Sequence, residues 1–308
     1  MTVLAVKLPC INGDPSMLPA LMNAVEARMH GLVNSDAMPS DGVEPLAQQA
    51  AAYHLASGGQ RLRAQLAVHA SLALQLSAGD AVSIAAAAEL VHNASLVHDD
   101  LQDRDLTRHG IKTVWSVYGD GIAICAGDLL LSAAYCALSG LSRPHLLAVV
   151  MPLLHRRISA ASTGQCADLT SETNRIFTVK EYEQLAALKS GALLALPVEL
   201  ALAASGELQA IAQARHAAES FAIGYQIFDD LNDVQKDLLR LTAQPAVNAF
   251  AVMQRHDPHG DAREMASHLA LKHLCAAAKT SLLLPRECGR LLHQLAVDLT
   301  ARINGGAP

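Results

Sequence analysis

The sequence predicts an all-α fold, helix packed on helix within one domain, and three observations carry that expectation. Apolar residues make up 51% of the chain and aromatics only 3%. Ala and Leu dominate, and small side chains let helices approach closely. Apolar positions recur at helical spacing, as in Leu18, Leu21, Met22, Val25 and Met29, whereas the β-branched and aromatic runs that mark strands are scarce. No Gly/Ser/Pro-rich linker divides the 308 residues, so we read 1–308 as a single domain.

Taken in order, residues 1–14 lead to the turn signal Asn12-Gly13-Asp14-Pro15 and then to an amphipathic helix from Pro15 to about Val33. Residues 34–43 read as a loop, and a second helix from about Val43 to Ala56 delivers the chain to Gly58-Gly59. Paired glycines allow a tight turn and close approach to an anion, and Arg61 and Arg63 follow at once. Taken locally, the residues favour an ordinary helix-to-helix turn with solvated arginines. A long apolar helix is expected from Ala81 to about Asp105, then a short loop over Thr113–Gly119. The next apolar helix, 121–141, contains an Asp128 expected to be buried and hydrogen-bonded. Pro144 breaks the pattern, and a helix from about His145 reaches Gly164-Gln165-Cys166-Ala167-Asp168. Thr178-Val179-Lys180-Glu181 is a capping box that starts a new helix. Helices from Ala210 to about Leu239, near 262–281 and near 285–303 complete the chain, with Asn304–Pro308 as a frayed tail.

The chemistry concentrates in Ser95-Leu96-Val97-His98-Asp99-Asp100-Leu101-Gln102-Asp103. Asp99 and Asp103 stand four apart and Asp100 and Asp103 three apart, so a helix brings all three to one side. Buried carboxylates are too costly to keep charged without cations, and Arg104 and Arg108 are only two. Oxygen-rich sites of this kind suit Mg²⁺, which bridges protein carboxylates to substrate phosphates. The pattern returns in Gln226-Ile227-Phe228-Asp229-Asp230-Leu231-Asn232-Asp233. One copy reads equally as an exposed acidic turn; two copies point to a diphosphate gripped through metal ions.

With these two motifs, and with Gly58-Gly59-Gln60-Arg61-Leu62-Arg63, Gly164-Gln165 and Lys189-Ser190 in the same order, the chain resembles the trans-isoprenyl diphosphate synthases, the polyprenyl synthetase family. The resemblance implies an isoprenoid synthase fold, a bundle of antiparallel helices around a deep central cavity. It also implies three Mg²⁺ ions on Asp99, Asp100, Asp103, Asp229, Asp230 and Asp233. Asp99, Asp103 and Asp229 would be the principal ligands. Arg108 and Lys189 would hold an allylic diphosphate, with Gln226 near it. Arg63, His92 and the positions of Gln60 and His109 would hold isopentenyl diphosphate. The family has lysine at Gln60, proline at Ala64, arginine at His109 and a lysine-bearing loop after Asp233, which is missing here; Lys236 reads equally as its substitute or as a solvated helix residue. Arg63 is then the one permanent cation, with His92 and His109 of ordinary pKa about 6.5, so isopentenyl diphosphate should bind less well as pH rises from about 6 to 8.

The implied activity is prenyl transfer to isopentenyl diphosphate. The departures leave open a terpene synthase-like lyase acting on an allylic diphosphate alone, and a non-catalytic subunit of a heteromeric synthase. Ala94 and Ser95, one helical turn below Asp99, are small and leave room for a C20 or longer product. The helix holding Asp128 is a candidate homodimer interface. Other classes recede. Neither a basic stripe for nucleic acid nor eighteen uninterrupted apolar residues occurs, Asp128 and Glu199 breaking the two longest runs. No signal peptide is legible, so a cytoplasmic protein is expected. Cys10, Cys125, Cys136, Cys166, Cys275 and Cys288 lack metal-ligand spacing and are expected as small core residues.

Overall fold

The computed structural model describes residues 17–34, 44–170, 178–240 and 248–305, with side chains for all of these but 233–240. The opening turn, residues 35–43 of the expected loop, the side chains of Asp233 and Lys236, and the end of the expected tail lie outside the described residues. The fold is all-α, as the composition predicts. The chain divides into two compact units: one built on residues up to Pro152 together with Ala203–Ser205, the other on Leu153–Leu202 and the chain from Gly206 onward.

In the first unit, α1 (Met17–Asn34) buries the stripe Leu18, Leu21, Val25, Met29 and Val33. Helices α2 (Leu46–Ala56) and α3 (Leu62–Ala73) flank the glycine pair. The sequence did not announce α3, because it follows directly on a turn with no capping side chain; its N-cap is Arg61 in the left-handed region at φ 49°. Helix α4 (Ala78–Gln102) starts three residues before the expected point, since the Ser77 hydroxyl accepts the Asp80 N–H at 3.0 Å. It stops at Gln102, with Asp103 as its cap and Arg104 left-handed at φ 56°.

A two-residue hairpin follows, β1 (Thr107–Arg108) and β2 (Ile111–Lys112). Its turn, His109-Gly110, has positive φ at both positions (51° and 79°), as a tight right-twisted hairpin requires. The expected loop at 113–119 contains a short helix, α5 (Val114–Tyr118). Helix α6 (Asp120–Leu138) packs along α4. Two expectations fail here and nearby. Asp128 is exposed (68%), and Cys125, Cys136, Cys166 and Cys275 are exposed too, leaving only Cys288 of the described cysteines in the core. A polar residue within an apolar helical run marks the outward face as readily as a buried exception, and spacing alone does not tell them apart.

The second unit holds most of α7 (Leu147–Leu169), then α8 (Val179–Ala186), a π-helical turn (Ala187–Gly191) and α9 (Ala192–Ser205). It continues with α10 (Ile211–Arg240), α11 (Ala249–His256), α12 (Ala262–Leu282) and α13 (Arg290–Ile303). The capping box forms in full: the Thr178 hydroxyl accepts the Glu181 N–H at 3.2 Å, and the Glu181 carboxylate accepts the Thr178 N–H at 2.9 Å. Glu199, fully buried in α9, accepts from Arg215 Nε at 3.0 Å and lies 3.2 Å from Arg157 Nε. By length and composition alone, the helical stretches Asp120–Leu138 and Val179–Ser205 could cross a membrane, but 72% of the apolar window in the second is buried within the protein.

Candidate active site

In the first unit, the glycine turn and the hairpin bring cations to the end of α4. Gly58 and Gly59 have φ of 79° and 130°, which a side chain would strain, and among the described residues none beyond their chain neighbours lies within 4 Å of where their β-carbons would be. Arg61 is turned inward. Its guanidinium donates to Glu26 (2.6 Å), the Leu55 carbonyl (2.6 Å) and Asn93 (3.3 Å), and it lies 3.9 Å from Glu89. It braces the turn, while Gln60, beside it, is exposed and lends its carbonyl to the Gln65 side chain. Glu89 accepts the Ala64 N–H at 3.0 Å, and burial raises its pKa against the pull of Arg63 and Arg61.

His92 is half-buried among Arg63, His54, Arg108 and Arg61; burial first, and those neighbours next, push its pKa well below the ordinary value. It is neutral above pH 6.5, so the expected loss of isopentenyl diphosphate binding between pH 6 and 8 has no source in His92. Burial is the main reason and the neighbouring cations the second, and sequence spacing revealed neither. His54 is lowered to about 4 by burial, with Arg108 and Arg61 contributing.

The three carboxylates of the first aspartate cluster differ in burial. Asp99 is half-buried and Asp103 exposed, joined by the Asp103 N–H donating to the Asp99 carbonyl at 2.8 Å. Asp100 is 2% exposed, and its Oδ1 accepts from Arg108 Nε (2.9 Å) and Nη2 (2.6 Å). The hairpin folds Arg108 back onto it, so Asp100 is engaged in an ion pair within the protein. His109, at the hairpin tip, is exposed. Ala94 is buried, and the Ser95 hydroxyl donates back to the His92 carbonyl at 2.8 Å.

The second unit repeats this division. Asp230 is 6% exposed and fully engaged: Tyr182 Oη (2.8 Å) and the Ala249 N–H (2.7 Å) donate to Oδ2, and Gln226 Nε2 (2.8 Å) donates to Oδ1. Burial, then the Asp230 and Asp229 charges, raise the Tyr182 pKa well above its usual value, so it stays a donor. Gln226 is thereby a partner of Asp230, one turn away on the same helix. Asp229 is half-buried. Lys189 pairs with Asp168, and the π-helical turn that carries it lies directly against Gly164. A β-carbon on Gly164 would fall 2.5 Å from the Lys189 amide nitrogen, so only glycine permits this approach. Tyr182 escaped the reading from sequence, since it lies 48 residues from the motif it serves; Gly164 was legible as part of a motif, but its contact with the Lys189 turn was not.

These donors fit Mg²⁺ in a particular way. Among the described residues no three His, Cys, Asp or Glu side chains converge on a point that could hold a metal ion. Mg²⁺ retains water and typically takes one or two protein carboxylates plus substrate phosphates. Hard carboxylate oxygens such as those of Asp99, Asp103 and Asp229 suit that habit; zinc or calcium cages need more protein ligands.

The family model described as Polyprenyl synthetase matches residues 44–242. The chain is 34% identical over 254 residues to a geranylgeranyl diphosphate synthase of Mycobacterium tuberculosis, covering 77% of this chain and 72% of that protein. It is 32% identical over 190 residues to a short chain isoprenyl diphosphate synthase of Methanothermobacter thermautotrophicus, covering 61% of this chain and 58% of that protein. In fold it is similar to a geranylgeranyl pyrophosphate synthetase from Geoglobus acetivorans, with TM-score 0.81, 23% identity, and 92% and 99% of the two chains covered. It is also similar to a decaprenyl diphosphate synthase from Rhodobacter capsulatus, with TM-score 0.79, 20% identity, and 94% and 98% covered. The match over most of the chain, with both aspartate motifs inside the matched residues, means that this chain belongs to the polyprenyl synthetase family of trans-prenyltransferases.

Proposed function

We propose that this protein ionises an allylic diphosphate and joins its prenyl group to isopentenyl diphosphate, working in the cytoplasm as a homodimer with α6 at the interface. The observation that carries the reading is the same division in both aspartate clusters. In each, one carboxylate is buried and held by protein donors, Asp100 by Arg108 and Asp230 by Tyr182, and we assign Asp99, Asp103 and Asp229 the role of metal ligands. Bound Mg²⁺, as three ions, would cancel charge on the departing diphosphate oxygens.

The protein's own groups do the rest. Arg108, held by Asp100, and Lys189, held beside Asp168, add fixed positive charge for the leaving group. The carbon–oxygen bond breaks with both electrons going to the diphosphate, leaving an allylic cation. The double bond of isopentenyl diphosphate supplies the pair for the new carbon–carbon bond, and the proton lost afterwards goes to the departing pyrophosphate. Arg63 is the cation assigned to isopentenyl diphosphate, with neutral His92 beside it as a hydrogen-bonding group. Asp233 remains a proposed ligand by its place in the motif. Small Ala94 and Ser95 favour a product of C20 or longer.

A second reading, cyclisation or hydrolysis of an allylic diphosphate alone, draws on the exposed Gln60 and the neutral His92, which leave fewer charges for a second diphosphate. The deciding assay incubates the protein with Mg²⁺ and dimethylallyl, geranyl, farnesyl or geranylgeranyl diphosphate, with and without isopentenyl diphosphate, and measures product mass. Longer diphosphates that require isopentenyl diphosphate support transfer; a hydrocarbon or alcohol formed without it overturns transfer for the lyase. Asp99→Ala and Asp229→Ala should each remove nearly all turnover while circular dichroism stays helical, and EDTA should abolish wild-type activity.

A further inference from the structure

His98 precedes Asp99 on α4, and its ring enters a notch on α6. A β-carbon built on Gly127 would lie 2.1 Å from His98 Nε2, 2.5 Å from Cδ2 and 2.8 Å from Cε1. The imidazole therefore occupies the volume that any other residue at 127 would fill. Its Nε2 faces two oxygens, the Ile124 carbonyl at 3.5 Å and Asp128 Oδ1 at 3.6 Å. The ring is 31% exposed, so the Gly127 notch takes one side of it, and the backbone it hangs from is the last turn of α4. We propose that His98 is a positioning residue: seated in the Gly127 notch and directed by Ile124 and Asp128, it locks the end of α4 against α6 and sets the direction of Asp99. The absence of a side chain at 127 is then part of the active site's support, as is Asp128 on the exposed face of α6.

This inference rests on the reading of Asp99 as a metal ligand, and the experiment separates the two. Mg²⁺ activation curves, KM for isopentenyl diphosphate and Tm are measured for the wild type, Gly127→Ala, His98→Ala, His98→Gln and the double variant His98→Ala with Gly127→Ala. Gly127→Ala expels the ring, and the Mg²⁺ concentration for half-maximal rate should rise about tenfold, as loss of a ligand-orienting partner does elsewhere. KM for isopentenyl diphosphate should not change. His98→Gln, which keeps an N–H near the Nε2 position, should shift less than His98→Ala. In the double variant the alanine methyl enters space vacated by the ring, so it should perform better than Gly127→Ala alone. A Gly127→Ala protein that loses Tm but keeps the wild-type Mg²⁺ curve overturns the proposal, as does a double variant no better than Gly127→Ala. Should Gly127→Ala not fold, wild-type Mg²⁺ curves in both single His98 variants overturn it. Wild-type turnover that survives EDTA overturns the metal reading itself.

Discussion

Asp100→Asn separates two roles that the motif alone leaves merged, and the structure sets the size of its effect. The carboxylate is 2% exposed and accepts two hydrogen bonds from Arg108, at 2.9 and 2.6 Å. Asparagine keeps the shape and one acceptor oxygen but removes the charge. Hydrogen bonds to charged groups contribute roughly 1.5–3 kcal/mol and neutral ones about half as much, so the interaction weakens by about 1–3 kcal/mol. Two corrections reduce this. Arg108 is 25% exposed, so water partly replaces the lost partner, and burial already holds the Asp100 carboxyl above its usual pKa range, a cost that asparagine removes. A net loss of about 1–2 kcal/mol corresponds to a fall in Tm of roughly 2–6 °C in a chain of this size.

Release of Arg108 should raise KM for the allylic diphosphate about tenfold, the equivalent of about 1.4 kcal/mol. The Mg²⁺ activation curve should stay in place, because Asp100 faces the guanidinium. Steady-state kinetics across a Mg²⁺ series, together with a thermal melt, read both quantities. An unchanged Tm with a Mg²⁺ requirement raised tenfold or more would show that Asp100 is a metal ligand and that its pairing with Arg108 does not persist in the working enzyme.

Two further outcomes are expected. Ala94→Phe places a ring in a buried position one turn below Asp99 and should shorten the product; an unaltered product distribution in a folded, active variant would mean that the tail runs elsewhere. His54 and His69, both held near pKa 4 chiefly by burial, stay neutral in the native protein while the unfolded chain takes up protons below about 6.5. The unfolded state then binds more protons, so the free energy of unfolding should fall as pH drops from about 6.5 to about 4, by up to roughly 3 kcal/mol per histidine. Urea melts across that range measure it. For His54→Gln the slope should be shallower, and the same slope as wild type would count against a neutral buried His54.

The sequence by itself determined the helical class, the paired aspartate motifs and most helix limits, because these depend on periodicity and local caps. The Thr178–Glu181 box, the Pro144 break and the small residues at 94 and 95 all work through neighbours within one or two turns. Tertiary structure decided which aspartates are buried. Asp100 and Asp230 are indistinguishable from their neighbours in the motif, and only Arg108 folded back by the hairpin, and Tyr182 and Ala249 brought from 48 and 19 residues away, commit them to the protein. The same holds for histidine charge. His92 is an ordinary imidazole in the sequence, and it becomes neutral because folding removes water and gathers Arg61, Arg63 and Arg108 around it. Local pattern is written in spacing. Solvation and long-range charge exist only once distant segments have met.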